Sequence, residues 1–311
     1  MSRICLGTMT FGKQTCEEEA YRILDAAAAG GINFIDTADG YPMGMPDLSR
    51  AGLTEKIVGR WLTGKRDQFV IATKAGAQMS EDPADQGASR KHLLDAVEGS
   101  LRRLNTDYID LYQLHFDDVA TPLDESLQAL DDIVRSGKVR YIGISNVGAT
   151  RLAEALAISD RLGLARYVSV QPRYNLIYRD IERDLLPLAE SENLGVIPYN
   201  PLAGGMLTNR YRSDDAPATG RFSPEIGTFG TMYRQRYWNS SAFAAVESAQ
   251  NIADNHGLQL TTLVVGWMLA KPVITSAIVG ASKVEQLADS IKAADLDVDI
   301  DTMKKLDELA A

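Results

Sequence analysis

Four side chains in the first half of the chain carry the groups that proton-transfer chemistry requires. Asp36, Lys74 and His115 each close a short apolar run, and Tyr41 follows soon after Asp36. A lysine beside a tyrosine favours the phenolate and lowers the tyrosine pKa below its usual value of about 10, while a carboxylate keeps that lysine charged. Tyr41 is therefore a candidate general acid for a developing alkoxide, and His115 could donate a hydrogen bond to the same oxygen. The set suits proton transfer to a carbonyl oxygen.

Strands must bring these side chains together, and the chain repeats such strands. Eight short apolar runs occur, most of them separated by roughly 30 to 40 residues, about the length of a strand with its returning helix. The polar or small residues at their ends are Thr8, Asp36, Lys74, His115, Ser145 with Asn146, Gln171, Tyr199 and Gly280. Eight such units form a (β/α)8 TIM barrel, an α/β fold whose chemistry lies at the carboxyl ends of the strands.

We predict one barrel domain over residues 1–311, with a long loop, 200–238, after strand 7 and a C-terminal helix. A loop this long in a compact domain is usually functional or disordered. Other predicted bounds are Val196 to Pro198 for strand 7, 274–279 for strand 8 and 180–193 for helix 6. Local signals also predict helix starts, with capping boxes at Thr15 and Ser282 and a proline, Pro122, at the first helical position.

The later strand ends suit a nicotinamide cofactor that brings a hydride to the carbonyl carbon. Ser145 and Asn146 could hold the carboxamide of the nicotinamide, and Gln171 could hold its other edge. Tyr199 could stack on the ring, because aromatic rings favour offset stacking.

The segments after strands 7 and 8 suit phosphate, as they usually do in barrels. A helix N-terminus beside Lys283 is a suitable phosphate site, although Ser282 could instead only cap that helix. Arg210, Arg221 and Lys283 provide positive charge for a ribose phosphate, which favours NADPH over NADH.

Composition argues against several other kinds of protein. The net charge of −10 disfavours nonspecific binding to nucleic acid or to anionic membranes. Two cysteines, Cys5 and Cys16, are too few for a disulfide scaffold, so we expect a reducing compartment and a cytoplasmic location. We expect no signal peptide and no membrane span, because the most apolar helical stretch, 261–270, is about half the length that a span needs.

Motifs for other chemistries are weak or missing. The sequence has no GxGxxG after a strand and no GxxxxGK[ST], so it indicates neither a Rossmann site nor a P-loop. Three histidines without an HExxH motif do not indicate a metal site. A barrel glycosidase would need two facing carboxylates, and Asp36 could face Asp110, Asp117 or Asp118. In that alternative the tyrosine and the lysine would have no role.

Motifs spread over nearly the whole chain resemble the aldo-keto reductase superfamily. They are Leu6-Gly7-Thr8-Met9-Thr10-Phe11-Gly12, Asp36-Thr37-Ala38 with Tyr41, Thr73-Lys74, Leu114-His115, Gly143-Ile144-Ser145-Asn146, Gln171, Pro201-Leu202-Ala203-Gly204-Gly205, and Gly280-Ala281-Ser282-Lys283 with Glu285-Gln286-Leu287. The resemblance implies a catalytic tetrad of Asp36, Tyr41, Lys74 and His115, with Tyr41 as proton donor. It also implies an NADP(H) cofactor, no metal, and a small aldehyde or ketone as substrate.

The resemblance, together with the residues named above, implies a large set of cofactor contacts. The predicted set is Thr8, Met9, Asp36, Ser145, Asn146, Gln171, Tyr199, Asn200, Pro201, Leu202, Gly204, Arg210, Arg221, Gly280, Ser282, Lys283, Gln286, Asp289 and Ser290. Asp289-Ser290 stands where the family usually has an acidic residue followed by Asn, so we expect altered adenine contacts.

Two further departures from the family pattern lead to expectations. Pro42 follows Tyr41, where family members often have Gly, and the loop to Gly52 is long, so we expect this loop to shape the substrate pocket. The family usually has a β-hairpin before strand 1, whereas this chain begins at the strand. We therefore expect the amino-terminal face of the barrel to be less covered, or to be covered by the last helix or a neighbouring subunit.

Two functions of different classes fit these features. The leading hypothesis is an NADPH-dependent carbonyl reductase. The alternative is a cofactor-sensing binding subunit like the β subunits of potassium channels, which share the family's fold. A barrel hydrolase is a third and weaker alternative. The sequence names neither the substrate nor the oligomeric state.

Overall fold

The structure is a computed structural model that describes residues 1–42, 48–214 and 217–309. Its strands are β1 (Ile4–Gly7), β2 (Phe34–Asp36), β3 (Val70–Ala75), β4 (Ile109–Leu114), β5 (Val139–Ser145), β6 (Tyr167–Gln171), β7 (Gly195–Val196) and β8 (Ala277–Gly280). They form one parallel sheet in the order β7-β6-β5-β4-β3-β2-β1-β8. This order confirms the prediction of an α/β fold built from eight parallel strands.

The sheet curls into a barrel-like arrangement whose edge strands, β7 and β8, share no continuous ladder. The two edges meet through isolated bridges, Val196 with Ile274 and Tyr199 with Ile278. Both strands are shorter than predicted. Pro198 lacks the backbone N–H that a ladder needs, although its carbonyl still accepts a hydrogen bond from the N–H of Ile278 at 2.9 Å.

Helices return the chain between strands. They are α1 (Glu17–Ala29), α2 (Leu53–Leu62), α3 (Arg90–Leu104), α4 (Leu123–Arg135), α5 (Ala149–Leu162), α6 (Leu185–Ser191), α7 (Thr228–Tyr237), α8 (Ser240–Asn255), α9 (Leu260–Leu269), α10 (Ala288–Lys292) and α11 (Ile300–Asp307). In α4, for example, Leu123, Leu127 and Leu130 recur at helical spacing and are all buried, so one face packs on the sheet. Within the described residues, no helix is long and apolar enough to cross a membrane.

A small apolar cluster fills the inside of the curled sheet, separate from the main core between sheet and helices. It includes Phe34, Ala72 and Leu111 on neighbouring strands. Side chains two residues apart on a strand point to the same side. The next inward positions, Asp36, Lys74 and Gln113, therefore form a polar layer above this cluster at the carboxyl ends of the strands.

The segment 200–238, which the sequence predicts as one long loop, contains helical elements in its described residues, 200–214 and 217–238. It contains 3-10 helices at Ala203–Thr208 and Pro224–Ile226, followed by α7. Aromatic contacts hold it in place, since the ring of Phe222 packs against Tyr233 and Trp238 with centroids 6.0 and 5.2 Å away. These contacts do not follow a helical period, so the apolar pattern of the sequence did not indicate α7.

Three helix starts and helix 6 also differ from prediction. Thr15 donates to Thr10 instead of capping α1, and Pro122 is the N-cap of α4, one position before its first helical residue. The hydroxyl of Ser282 does not cap the helical turn that follows. The N–H and the hydroxyl of Ser282 both donate to the side-chain oxygen of Gln286. Helix 6 is split into a 3-10 turn, Asp180–Glu182, and the shorter α6.

Two expectations about the ends of the barrel stay predictions. Residues 43–47 of the proposed substrate loop lie outside the described residues. At the other end, β1 is the only strand within residues 1–12, all of which are described. Helix α11 packs against the outer layer, where Asp307 accepts hydrogen bonds from Trp267 at 2.8 Å and Lys271 at 3.2 Å.

Candidate active site

A buried ion pair lies at the centre of the polar layer. The ammonium group of Lys74 donates to a carboxylate oxygen of Asp36 and, at 2.8 Å, to the carbonyl of Thr37. Their side chains are only 1% and 3% exposed. Burial by itself would lower the pKa of Lys74, but the electrostatic interactions and hydrogen bonds with Asp36 and Tyr41 together outweigh it, and the pKa lies above its ordinary value. Lys74 is therefore a fixed positive charge inside the barrel.

The second oxygen of the Asp36 carboxylate accepts hydrogen bonds from two amides. Gln171 donates at 2.9 Å and Gln113 at 3.2 Å. The two glutamines also contact each other, since Nε2 of Gln171 donates to Oε1 of Gln113 at 3.2 Å. Gln113 was not among the predicted site residues. Its position two residues before His115 on one strand, hence on the same side, was the signal that could have identified it.

Tyr41 and His115 complete the group of four. Their rings meet edge to face with centroids 5.6 Å apart, and the nitrogen of Lys74 lies 5.1 Å from the centre of the Tyr41 ring. The imidazole of His115 also stacks on Phe116, at 4.4 Å and nearly parallel. The structure therefore brings together all four residues of the predicted tetrad.

The direction of the Tyr41 pKa corrects the sequence-based expectation. Burial raises the pKa of Tyr41 above its usual value, and the charge of Lys74 opposes this rise without overcoming it. The reason is that the phenolate loses more hydration in the closed site than it gains from one neighbouring cation. Tyr41 is thus a neutral phenol that still holds its proton near neutral pH.

His115 is a neutral imidazole in this setting. Burial, with the charge of Lys74 adding to it, holds the pKa of His115 well below its usual range. Its Nδ1 is buried without a hydrogen-bond partner in the part of the chain that the structure describes. A neutral imidazole carries one N–H, so His115 can donate one hydrogen bond without adding a charge beside Lys74.

Ser145, Asn146 and Tyr199 form a second hydrogen-bonded group across the strand ends. The Ser145 hydroxyl donates to the carbonyl of Gln171 at 2.8 Å. The Asn146 amide donates to the carbonyl of His115 at 2.9 Å, and its oxygen accepts from Tyr199 at 2.8 Å. The polar groups predicted to face a nicotinamide are therefore held rigidly next to the four candidate catalytic side chains.

A cavity of about 1420 Å³ connects this group with the segments after β7 and β8. Its lining includes most of the predicted cofactor contacts, namely Thr8, Met9, Asp36, Ser145, Asn146, Gln171, Tyr199, Asn200, Pro201, Leu202, Gly204, Arg210, Arg221, Gly280, Ser282, Lys283, Gln286 and Asp289. Tyr41 and His115 line it too, whereas the buried Lys74 does not. Ser290 is fully buried and is not part of the lining, so its position gives no support to the predicted contact.

The cavity lining suits an anionic ligand. Gly204 and Gly205 have positive φ, and a side chain at Gly204 would meet the ring of Tyr233 at 2.6 Å. Glycine is therefore required at this turn of the lining. The cations Arg210, Arg221 and Lys283 line the same cavity as the Tyr199 ring. In a chain of net charge −10, cations gathered around one cavity indicate an anionic group there.

These features define a class: a barrel-like α/β protein with its polar site at the carboxyl strand ends. Comparisons with known proteins place it more closely. The family model described as the Aldo/keto reductase family matches residues 3–311. The chain belongs to the aldo/keto reductase family.

Similar proteins from bacteria and plants match over almost the whole chain. Uncharacterized oxidoreductase YrpG of Bacillus subtilis is 37% identical, over 99% of this chain and 92% of that protein. Protein tas of Escherichia coli is 33% identical, over 99% and 93%. A probable voltage-gated potassium channel subunit beta of Oryza sativa subsp. japonica is 34% identical, over 93% and 85%.

Proposed function

We propose that the protein is an NADPH-dependent oxidoreductase that reduces an aldehyde or ketone to an alcohol, on a complete (β/α)8 barrel. Membership of the aldo/keto reductase family and the name of the Bacillus subtilis oxidoreductase support the class of activity. The observation that carries the proposal is the convergence of Asp36, Lys74, Tyr41 and His115 beside a cavity that cations also line.

Each side chain has a role that follows from its contacts. When bound, NADPH supplies the hydride for the carbonyl carbon. Tyr41, a neutral phenol, gives its proton to the carbonyl oxygen, and His115 donates a hydrogen bond to that oxygen. Lys74 stabilises the phenolate that remains, because a fixed cation lies beside the ring and Asp36 holds it there.

The rest of the cavity lining selects and orients the cofactor. Ser145, Asn146 and Gln171 orient the nicotinamide carboxamide, and Tyr199 stacks on the ring. Arg210, Arg221 and Lys283 hold the phosphates, including the ribose phosphate that distinguishes NADPH from NADH. A small carbonyl compound is the proposed partner, and the cytoplasm is the proposed location.

Tyr41→Phe tests the proposal. The protein is mixed with NADPH and a panel of aldehydes and ketones, and loss of the reduced nicotinamide signal is followed. Loss of proton donation is expected to lower kcat by roughly 10²–10⁴-fold while NADPH binding persists. Tyr141→Phe, which removes a hydroxyl from an exposed side chain, is the matched control. Wild type that does not bind NADPH would contradict the cofactor assignment.

A cofactor-sensing subunit is the second candidate, favoured by the similarity to the Oryza sativa channel subunit. It predicts NADPH binding with at most a slow single cycle of oxidation across the whole panel. Sustained turnover with any carbonyl compound would favour the enzyme.

A further inference from the structure

Gln113 connects two groups of the proposed centre that come from different strands. It lies in β4 beside Lys74 of β3 in the strand register, and its side chain is fully buried. Its Nε2 donates to Asp36 at 3.2 Å, and its Oε1 accepts from Gln171 at 3.2 Å. With the 2.9 Å bond from Gln171 to Asp36, the three side chains form a closed triangle of hydrogen bonds.

The contact between the glutamines passes over β5, and Gly143 makes room for it. Gln113 belongs to β4 and Gln171 to β6, with β5 between them. A Cβ at Gly143 would lie 3.3 Å from Cγ of Gln113 and 2.5 Å from the hydroxyl of Ser169. Gly143 does not have positive φ, so its backbone conformation does not require glycine. Glycine is needed there because a larger side chain would not fit.

Counting donors shows what the triangle does to Gln171. A side-chain amide has two N–H donors and one carbonyl acceptor. In Gln171 the amide nitrogen donates to both Asp36 and Gln113. Gln171 lines the cavity, so its oxygen is the group left to meet a ligand. Without Gln113, one N–H would be released and the amide could rotate.

The triangle also fixes the carboxylate that holds Lys74. Asp36 receives Lys74 on one oxygen and the two amides on the other. Bonds to a charged acceptor are stronger and more directional than neutral ones. Removing one amide would therefore loosen the ion pair as well as the orientation of Gln171.

We infer that Gln113 is a positioning residue of the proposed reductase centre, which holds Asp36 and Gln171 in one unit and so couples nicotinamide binding to the Lys74 pair. This inference rests on the proposed function. Gln113 itself does not line the cavity, so it acts through its two partners.

Binding of two ligands to Gln113→Leu tests the inference. One ligand is NADPH, and the other is adenosine 2′,5′-bisphosphate, which has the ribose phosphate but no nicotinamide. We expect Kd for NADPH to rise roughly 10- to 100-fold, as for loss of hydrogen bonds to a charged group. Kd for the bisphosphate should stay within about twofold, because none of the proposed phosphate-binding cations takes part in the hydrogen bonds of the triangle. Gln128→Leu, the same change at an exposed position of α4, is the matched control.

Gln113→Glu gives a second readout that a loss of packing would not produce. A protonated glutamate keeps one donor and one acceptor, whereas its ionised form places a second negative charge beside Asp36. NADPH affinity should therefore be near wild type at low pH and fall as pH rises through the raised pKa of the new carboxyl group. Wild type should lack this step.

The outcomes separate the inference from the proposed function. If the wild type binds the bisphosphate as tightly as it binds NADPH, the nicotinamide half adds no affinity, and the proposed function is contradicted. Wild type that binds NADPH tightly, with Gln113→Leu unchanged or weakened equally for both ligands, overturns the inference. If Gln113→Leu does not fold, the presence or absence of the pH step in Gln113→Glu decides the question.

Discussion

The residue at the centre of the polar layer is Asp36, because three other side chains donate hydrogen bonds to its carboxylate. A buried charge persists only when it is paired and its remaining hydrogen bonds are filled. Lys74 supplies the opposite charge, and Gln113 and Gln171 fill the second oxygen. This arrangement places a permanent cation next to Tyr41 without exposing it to solvent.

His115 carries a prediction at this scale. As pH falls through about 6.5, a histidine in the unfolded chain gains a proton, but buried His115 does not, since its folded pKa is well below that value. The unfolded state therefore binds more protons, and the free energy of unfolding should fall as pH falls below about 6.5. Between about pH 7.5 and pH 5, we expect the free energy of unfolding of His115→Gln to fall less than that of the wild type. Denaturant titrations at each pH measure it.

The control for this prediction is His256→Gln, at an exposed histidine. Burial lowers the pKa of His92 as well, but His92 remains in all three proteins, so its contribution cancels. An equal loss of stability in wild type and His115→Gln over this pH range would show that His115 is protonated in the folded protein.

At the scale of elements, α7 supports the glycine segment that lines the cavity. The Tyr237 hydroxyl, at the end of α7, accepts hydrogen bonds from Asn175 at 3.1 Å and Asn200 at 3.0 Å. Asn200 in turn accepts from the N–H of Gly204 at 2.6 Å. The helix thereby sets the path of the glycine segment that faces the proposed pyrophosphate.

Tyr237→Phe tests this connection. The amide of Asn200 loses an acceptor, which should reduce the free energy of unfolding by about 1–3 kcal/mol and weaken NADPH binding. Denaturant titration and NADPH titration measure the two effects. A variant with weaker stability but unchanged affinity would show that α7 holds the fold together without shaping the cofactor site.

Across the whole molecule, the cavity is lined by cations from segments that are far apart in the sequence. A protein of net charge −10 repels anions at long range. Arg210, Arg221 and Lys283 line the cavity, and they come from segments after β7 and β8. The barrel-like curl brings these segments together, since β8 pairs with β1 on one side and meets β7 on the other.

Lys283→Gln tests the charge at this end. We expect the ratio of NADPH to NADH affinity to fall by about tenfold, because a hydrogen bond to a charged phosphate is lost. NADH affinity should barely change. Lys91→Gln, an exposed lysine of α3 outside the cavity, is the control. Equal weakening of both cofactors would place Lys283 against the shared pyrophosphate.

Elements that depend on local signals could be predicted from the sequence, whereas elements that depend on long-range contacts could not. Helix α3 begins after Ser89, whose hydroxyl accepts from the N–H of His92, and ends at Asn105 in the left-handed conformation. Both signals are local, so a short window of sequence contains them. Helix α7 depends on contacts between Tyr233, Phe222 and Trp238, which a periodic pattern does not contain.

By itself, the sequence determined the parallel strand-and-helix plan and the delivery of Asp36, Lys74 and His115 to one set of strand ends. Both follow from local spacing, because strands alternate sides every two residues and helices repeat every 3.6. Only the tertiary structure decided that burial raises the pKa of Tyr41, and that Gln113 reaches Gln171 across Gly143. Exclusion of water and contacts between distant strands exist only once the sheet has curled, so no local pattern encodes them.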